Sequence, residues 1–192
     1  MTARARTANN RQQVVVQMHG MPGSGKSTVA RELGQRIAAV VLDKDVIKAA
    51  LLRSGIAEAK AGSAAYEVYF AQARALVAAN HSIILDNPVF WEPVERRWLE
   101  VAAAAGSPAI LIECVCPDGA ELVRRLHMRE ALESQPRQPL DLALHPGSIP
   151  TVFQPRLVLD TTRSLDTLVD EAVAYVERLI SPGALVAGSV RT

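Results

Sequence analysis

Residues 20–28 read Gly20-Met21-Pro22-Gly23-Ser24-Gly25-Lys26-Ser27-Thr28, a complete G-x-x-x-x-G-K-[ST] motif. Glycines at this spacing let a backbone wrap a polyphosphate with its N–H groups, so Gly23, Ser24, Gly25 and Thr28 are candidate nucleotide contacts. The Lys26 ammonium can bridge β- and γ-phosphates, and the Ser27 hydroxyl can ligate Mg2+. An apolar run precedes the motif and a helix-periodic segment follows it, which is the strand–loop–helix setting it requires. A nucleoside triphosphate with Mg2+ is the expected ligand.

Carboxylates supply the second chemical signal. The segment Leu42-Asp43-Lys44-Asp45-Val46-Ile47-Lys48 closes the second apolar run, and a parallel sheet puts such a segment at its carboxyl edge beside the phosphate loop. Phosphoryl transfer to a hydroxyl uses a carboxylate to orient the acceptor and take its proton, a role for which Asp45 is the candidate. Asp43 is read either as a substrate contact or as the N-cap of the next helix. Asp86 ends Ile83-Ile84-Leu85-Asp86, a position from which a carboxylate holds Mg2+, often through water. Trp91 follows at the same edge, as a wall of an acceptor pocket or as core.

Arg125 and Arg129 share a helix face at i, i+4. An arginine carried by a closing lid can stabilise the charge of a transferring phosphoryl group, which makes Arg129 a catalytic candidate and Arg137 a weaker one; a solvated charged face is the plainer reading. Other triphosphate-using classes lack support. Asp86 is followed by Asn87-Pro88-Val89 rather than Asp-x-x-Gly, there is no Asn-Lys-x-Asp for guanine, and no Leu-Ser-Gly-Gly-Gln occurs. A small kinase is what remains.

These residues need a scaffold, and the 192-residue chain suffices for one compact domain. Apolar residues make up 49% and charged residues 21%, which excludes disordered and disulfide-scaffold classes. Lys plus Arg (21) nearly balances Asp plus Glu (20), without the basic excess of a nucleic-acid or membrane-surface binder. Thirty alanines against eight aromatic residues suit helices packed on a sheet. Short strands are expected at 14–18, 40–42, 82–86, 109–115 and 156–160, alternating with helical stripes. The stripes are Val29, Leu33 and Ile37; Tyr66, Phe70, Ala73 and Val77; Val94, Trp98 and Val101; and Leu165, Leu168, Ala172, Val176 and Leu179.

The expected organisation is a tail at 1–13, a single domain at 14–182 and a second tail at 183–192. A lid at about 129–155 is marked by Pro136, Pro139, Pro146, Pro150 and Pro155. Cys114 and Cys116 lie two apart in an apolar run, where extended backbone points both to one face, against a bridge between them. Both read as buried thiols of a reducing compartment. No apolar stretch approaches 18 residues, and the Arg-rich start lacks the apolar segment of a secretory signal, so a cytoplasmic protein without a membrane partner is expected.

Three features together carry a resemblance: Gly-x-Pro-Gly-Ser-Gly-Lys-Ser-Thr, a strand ending in Asp-Lys-Asp, and the helix reading Glu121-Leu122-Val123-Arg124-Arg125-Leu126-His127-Met128-Arg129. Over residues 14–180 the chain resembles the small P-loop kinases that include polynucleotide 5′-hydroxyl kinases, zeta toxins, chloramphenicol phosphotransferases and gluconate-type kinases. The resemblance implies a three-layer α/β P-loop NTPase fold, its five-stranded parallel sheet ordered 2-3-1-4-5 with helices on both faces and a short lid. It also implies ATP as phosphoryl donor with Mg2+, Arg129 as the lid arginine, Arg125 nearer the nucleotide, and the loop 161–164 near the adenine.

Polynucleotide kinases carry Arg-Asp-Asp-x-x-Arg after their second strand, and the positions corresponding to its first Asp and final Arg are Asp45 and Lys48, the latter a candidate substrate contact. Val46 replaces the second Asp, and Lys48 offers a point charge where that family has a guanidinium fork, which weighs against a nucleic-acid acceptor. The expectation is an ATP-dependent kinase acting on a hydroxyl of a small molecule. The alternatives are a polynucleotide 5′-hydroxyl kinase and an ATP-binding regulatory module without acceptor chemistry.

Overall fold

The computed structural model describes residues 12–87, 92–128, 132 and 156–181, among which five strands are each followed by a helix, the second by two. They are β1 (Val15–His19), α1 (Lys26–Ile37), β2 (Val40–Asp43), α2 (Lys44–Arg53), α3 (Glu58–Ala78), β3 (Ile83–Asp86), α4 (Glu92–Ala104), β4 (Ile110–Val115), α5 (Gly119–Met128), β5 (Leu157–Asp160) and α6 (Leu165–Ile180). All pairings are parallel and the order is β2-β3-β1-β4-β5, as the resemblance implied. Each strand begins and ends within a residue of its expected position, because Val-, Ile- and Leu-rich runs too short for helices are the form buried parallel strands take.

The central strand is buried along its whole length, its polar Gln17 and His19 included. Alternate side chains of β1 serve opposite faces. Val14, Val16 and Met18 join a core beneath α1 and α6, whereas Val15 joins Tyr69, Phe70, Val94 and Trp98 beneath α3 and α4. These two cores make the three layers. The predicted stripes of α1, α3, α4 and α6 all turn inward, Trp98, Tyr69 and Phe70 being the largest fully buried side chains.

Helix ends are placed by local chemistry. Asp43 caps α2 by accepting from the backbone N–H groups of Asp45 (2.8 Å) and Val46 (3.4 Å), and Ser164 caps α6 by accepting from Thr167 N–H (3.4 Å). Gly34, inside α1, sits where an added Cβ would lie 2.8 Å from Val41 Cγ2 and 3.1 Å from the Ala39 carbonyl oxygen, so the helix approaches β2 more closely than any side chain allows. The cysteines differ from expectation in one respect. Cys114 is buried in β4, but Cys116 falls past the strand's last residue and is only half-buried, its thiol donating to the Asp118 carbonyl at 3.4 Å. The first eleven residues of the expected first tail, the second tail and most of the expected lid lie outside the described residues.

Candidate active site

The loop 20–25 runs from the end of the central strand into α1. Gly20 has φ +143°, and a Cβ there would meet the Cys114 carbonyl oxygen at 2.4 Å, so the chain leaves β1 by a path open only to glycine. Gly25 stands at the N-cap of α1 in the left-handed conformation. Among the described residues no side chain caps this helix, and no acidic residue lies in its first turn. Its first N–H groups are therefore left for an anion to satisfy, and the helix dipole favours one there. Ser24 is buried with its hydroxyl unpartnered among the described residues, and Gly23 packs against Leu122 and Leu126 of α5.

Register brings the carboxylates to the same edge. Asp86 pairs in register with Met18 on one side and Asp43 on the other, one residue short of the end of β1. Ser27 donates its hydroxyl to Asp86, whose Oδ1 is buried and has no hydrogen-bond partner among the described residues. Burial raises the Asp86 carboxyl above the ordinary range, opposed by the Lys26 charge and the Ser27 hydrogen bond and reinforced by the charges of Asp43 and Asp45. An orphaned carboxylate oxygen beside a hydroxyl is a pair of hard oxygen donors, which fits Mg2+. Among the described residues no group of three or more His, Cys, Asp or Glu could hold a metal, so Ser27 and Asp86 would share such an ion with phosphate oxygens and water.

The two aspartates after β2 take different parts. Asp43 is spent on capping α2; burial raises its carboxyl, while the Asp45 N–H bond lowers it. Asp45, in the first turn of α2, pairs through Oδ1 with Lys44 Nζ at 2.5 Å. Lys44 also lies over the Tyr66 ring, 5.6 Å from its centroid. Lys48 is paired with Glu58 at 2.8 Å.

Several residues at this edge carry no local sequence signal. Tyr69 donates its hydroxyl to Asn87 Oδ1 (2.6 Å), Gln17 donates to the same oxygen (3.2 Å), and Tyr66 shares a side-chain hydrogen bond with Asn87. Burial lifts the Tyr66 phenol to about 12, with the Asp45 charge acting in the same direction. On the far side of β1, Glu113 pairs with Arg156 at 2.7 Å. Burial, with the charges of Lys26 and Arg156, lowers His19 to about 4, so His19 is neutral near pH 7.

Arg125 is held rigidly at the other end of the loop. Its Nε donates to Glu121 (2.7 Å), Nη1 to the Thr161 hydroxyl (2.9 Å) and Nη2 to the Thr161 carbonyl (2.8 Å). Hydrogen bonds from Arg124 and Arg125 hold the Glu121 carboxyl down to about 2. A cavity of about 180 Å³ opens here between Gly25, Thr28, Arg125, Thr161, Arg163 and Leu165. The i, i+4 spacing of Glu121 and Arg125 is the one signal by which the sequence could have disclosed this clamp.

Of the predicted site residues, Gly23, Ser24, Gly25, Lys26, Ser27, Thr28, Asp43, Asp45 and Asp86 lie at or beside the loop, Lys48 is one turn along α2 from Asp45, and Arg125 flanks the cavity. Trp91, Arg129 and Arg137 lie outside the described residues. Among the described residues no helix is long and apolar enough to cross a membrane.

The chain is similar to several known proteins. It is 28% identical over 109 residues to Rv2004c of Mycobacterium tuberculosis strain H37Rv, a match covering 50% of this chain and 22% of that protein. The chain thus spans about a fifth of the length of the curated relatives it matches. In shape it is similar to a sugar kinase from Janibacter sp. HTCC2649, with TM-score 0.62, 17% identity and coverage of 90% of this chain and 98% of that one. It is also similar to a gluconokinase from Sinorhizobium meliloti 1021, with TM-score 0.59, 16% identity and coverage of 88% and 95%. A third similar structure is the APS kinase CysC of M. tuberculosis in complex with AMPPNP and APS, with TM-score 0.61, 21% identity and coverage of 86% and 98%. A family model for the AAA domain (AAA_33) matches residues 15–144. With two thirds of its length matched and the sheet order of small P-loop kinases, this chain belongs to the AAA domain family AAA_33.

Proposed function

We propose that this chain is an ATP-dependent kinase that transfers the γ-phosphoryl group to a hydroxyl of a small molecule. One observation carries the reading: at one sheet edge the start of α1, uncapped by any described side chain, presents Lys26 after β1, Asp86 with its Ser27 partner ends β3, and the Asp45 carboxylate opens the helix that follows β2. Nucleotide binding accounts for the first two. An acidic side chain one strand further out is what an acceptor hydroxyl needs. The similarity in shape to a sugar kinase, a gluconokinase and an APS kinase supports this choice among triphosphate-using classes.

In this reading the loop N–H groups and Lys26 hold the β- and γ-phosphates, and Arg125 with Thr161 borders the nucleoside in the 180 Å³ cavity. Ser27 and Asp86 would hold Mg2+, which would neutralise charge on the phosphate oxygens. The acceptor oxygen attacks the γ-phosphorus, the bond to the β–γ bridging oxygen breaks, ADP departs, and the acceptor proton passes to the Asp45 carboxylate. Lys44, paired with Asp45 at 2.5 Å, holds that carboxylate in place for the transfer. Arg129 is proposed to cover the transferring group from the lid.

The test is Lys26→Ala. Loss of a charge-assisted phosphate contact worth ~1.5–3 kcal/mol is expected to weaken ATP binding, measured by calorimetry, at least about tenfold and to bring transfer from γ-labelled ATP to background. Unchanged ATP affinity in that variant rules the site out.

A further inference from the structure

The kinase reading leaves open the kind of acceptor, and the ion pairs around Asp45 narrow it. The acceptor side of the site is walled by three helices. α2 starts there, directly after β2, and α4 starts there after β3. α3 has 21 residues, about 31 Å of helix. β3, which follows it, has four residues, about 13 Å of strand. Since α3 ends near the amino edge of the sheet, its first half projects past the carboxyl edge.

Among the described residues, the lysines and arginines of these helices that are not solvent-exposed are Lys44, Lys48 and Arg97. Each is already in an ion pair: Lys44 with Asp45 at 2.5 Å, Lys48 with Glu58 at 2.8 Å, and Arg97 with Glu67 at 2.6 Å. Arg97 also packs over the Phe70 ring, 4.5 Å from its centroid. Arg53, Lys60, Arg74 and Arg96 stand in solvent, where a lone cation anchors an anion weakly.

Recognition of a carboxylate, sulfate or phosphate calls for a sheltered cation with donors to spare. Here such an acceptor would have to displace Glu58 from Lys48 or Asp45 from Lys44 while approaching the charges of Asp43, Asp45 and Asp86. Like charge set against like charge disfavours such an acceptor. An uncharged hydroxyl compound meets no such penalty, and it finds partners in the Asp45 carboxylate and in the phenol of Tyr66, half-buried at the same edge.

Resting on the kinase reading above, we infer that the acceptor is an uncharged polyhydroxy small molecule, a sugar, polyol or nucleoside, recognised without an anionic handle. In its place on α2, Lys48 serves to discriminate: neutralised by Glu58, it offers nothing to an acid.

The experiment supplies the purified chain with Mg2+ and γ-labelled ATP and two matched panels. One holds hexoses, polyols and nucleosides; the other holds the corresponding sugar acids, sugar phosphates, nucleoside monophosphates and a 5′-hydroxyl oligonucleotide. The expected result is transfer to a neutral compound with kcat/KM at least about tenfold above its anionic counterpart. In Glu58→Gln, which frees Lys48, KM for the anionic counterpart should fall about threefold while that for the neutral compound stays unchanged. A wild-type preference for an acid or phosphate overturns the inference and leaves the kinase reading standing, as does a Glu58→Gln variant indifferent to acceptor charge. Transfer to neither panel by protein that binds ATP overturns both.

Discussion

Asp86 is the residue at which function costs stability. Burial raises its carboxyl, and the charges of Asp43 and Asp45 add to the strain that Lys26 and the Ser27 hydroxyl only partly relieve. For a group whose pKa is raised on folding, the folded state binds the proton more tightly than the unfolded one. Its contribution to stability therefore declines as pH climbs from the ordinary carboxylate range through the raised value, and at neutral pH the ionised form is the unfavourable one. A divalent cation reverses that balance. Asp86→Asn should accordingly raise the melting temperature of the nucleotide-free chain by about 2–4 °C, the shift expected for roughly 1 kcal/mol in a domain of this size. The same variant should need about tenfold more Mg2+ to bind ATP, a carboxylate ligand having been lost. Melting scans and Mg2+ titrations check both halves; a lower melting temperature with unaltered Mg2+ dependence would remove Asp86 from the metal site.

At the scale of elements, the phosphate-loop groups, Asp45 and Asp86 come from strand ends and helix starts, and the supports are steric as much as polar. α1 carries Lys26 and Ser27 on its first turn, and Gly34 lets its later turns lie against β2. Alanine is the better helix former by about 1 kcal/mol. Its Cβ at position 34 would nevertheless lie 2.8 Å from Val41 Cγ2, on a β-branched side chain with little freedom to turn away. The clash decides the sign. Gly34→Ala should destabilise the chain by about 1–3 kcal/mol in urea unfolding, the cost of overpacking. A stabilised variant would mean that α1 and β2 are not so closely apposed. α5 is steadied differently: Glu121 and Thr161 together fix the Arg125 guanidinium, so this arginine is oriented before nucleotide arrives.

For the whole molecule, the five strands and the phosphate loop were legible from sequence because both are local. Strand type follows from runs such as Ile83-Ile84-Leu85, and the loop from glycine spacing together with Lys26. The same locality left Asp43 and Asp45 open between capping and chemistry, since both carry the composition of an N-cap. Three-dimensional hydrogen bonding separates them by giving Asp43 the cap. The Gln17–Asn87–Tyr69 network and the Glu113–Arg156 pair were not legible, because sheet register joins residues 18 to 70 positions apart in the chain. The near balance of charge has its physical counterpart in the site: Lys26 stands among Asp43 and Asp86, and the half-buried cations beyond it are matched one to one by carboxylates.

The kinase reading turns on Asp45, which nucleotide binding alone does not require. The direct measurement is transfer of label from γ-labelled ATP to the preferred acceptor by wild type and Asp45→Asn, with ATP affinity measured in parallel. A proton acceptor contributes about 10²–10⁴ in rate, so kcat should fall by that factor while the ATP dissociation constant stays within about twofold. Transfer by Asp45→Asn at the wild-type rate, or a loss of transfer matched by an equal loss of ATP binding, would contradict the account.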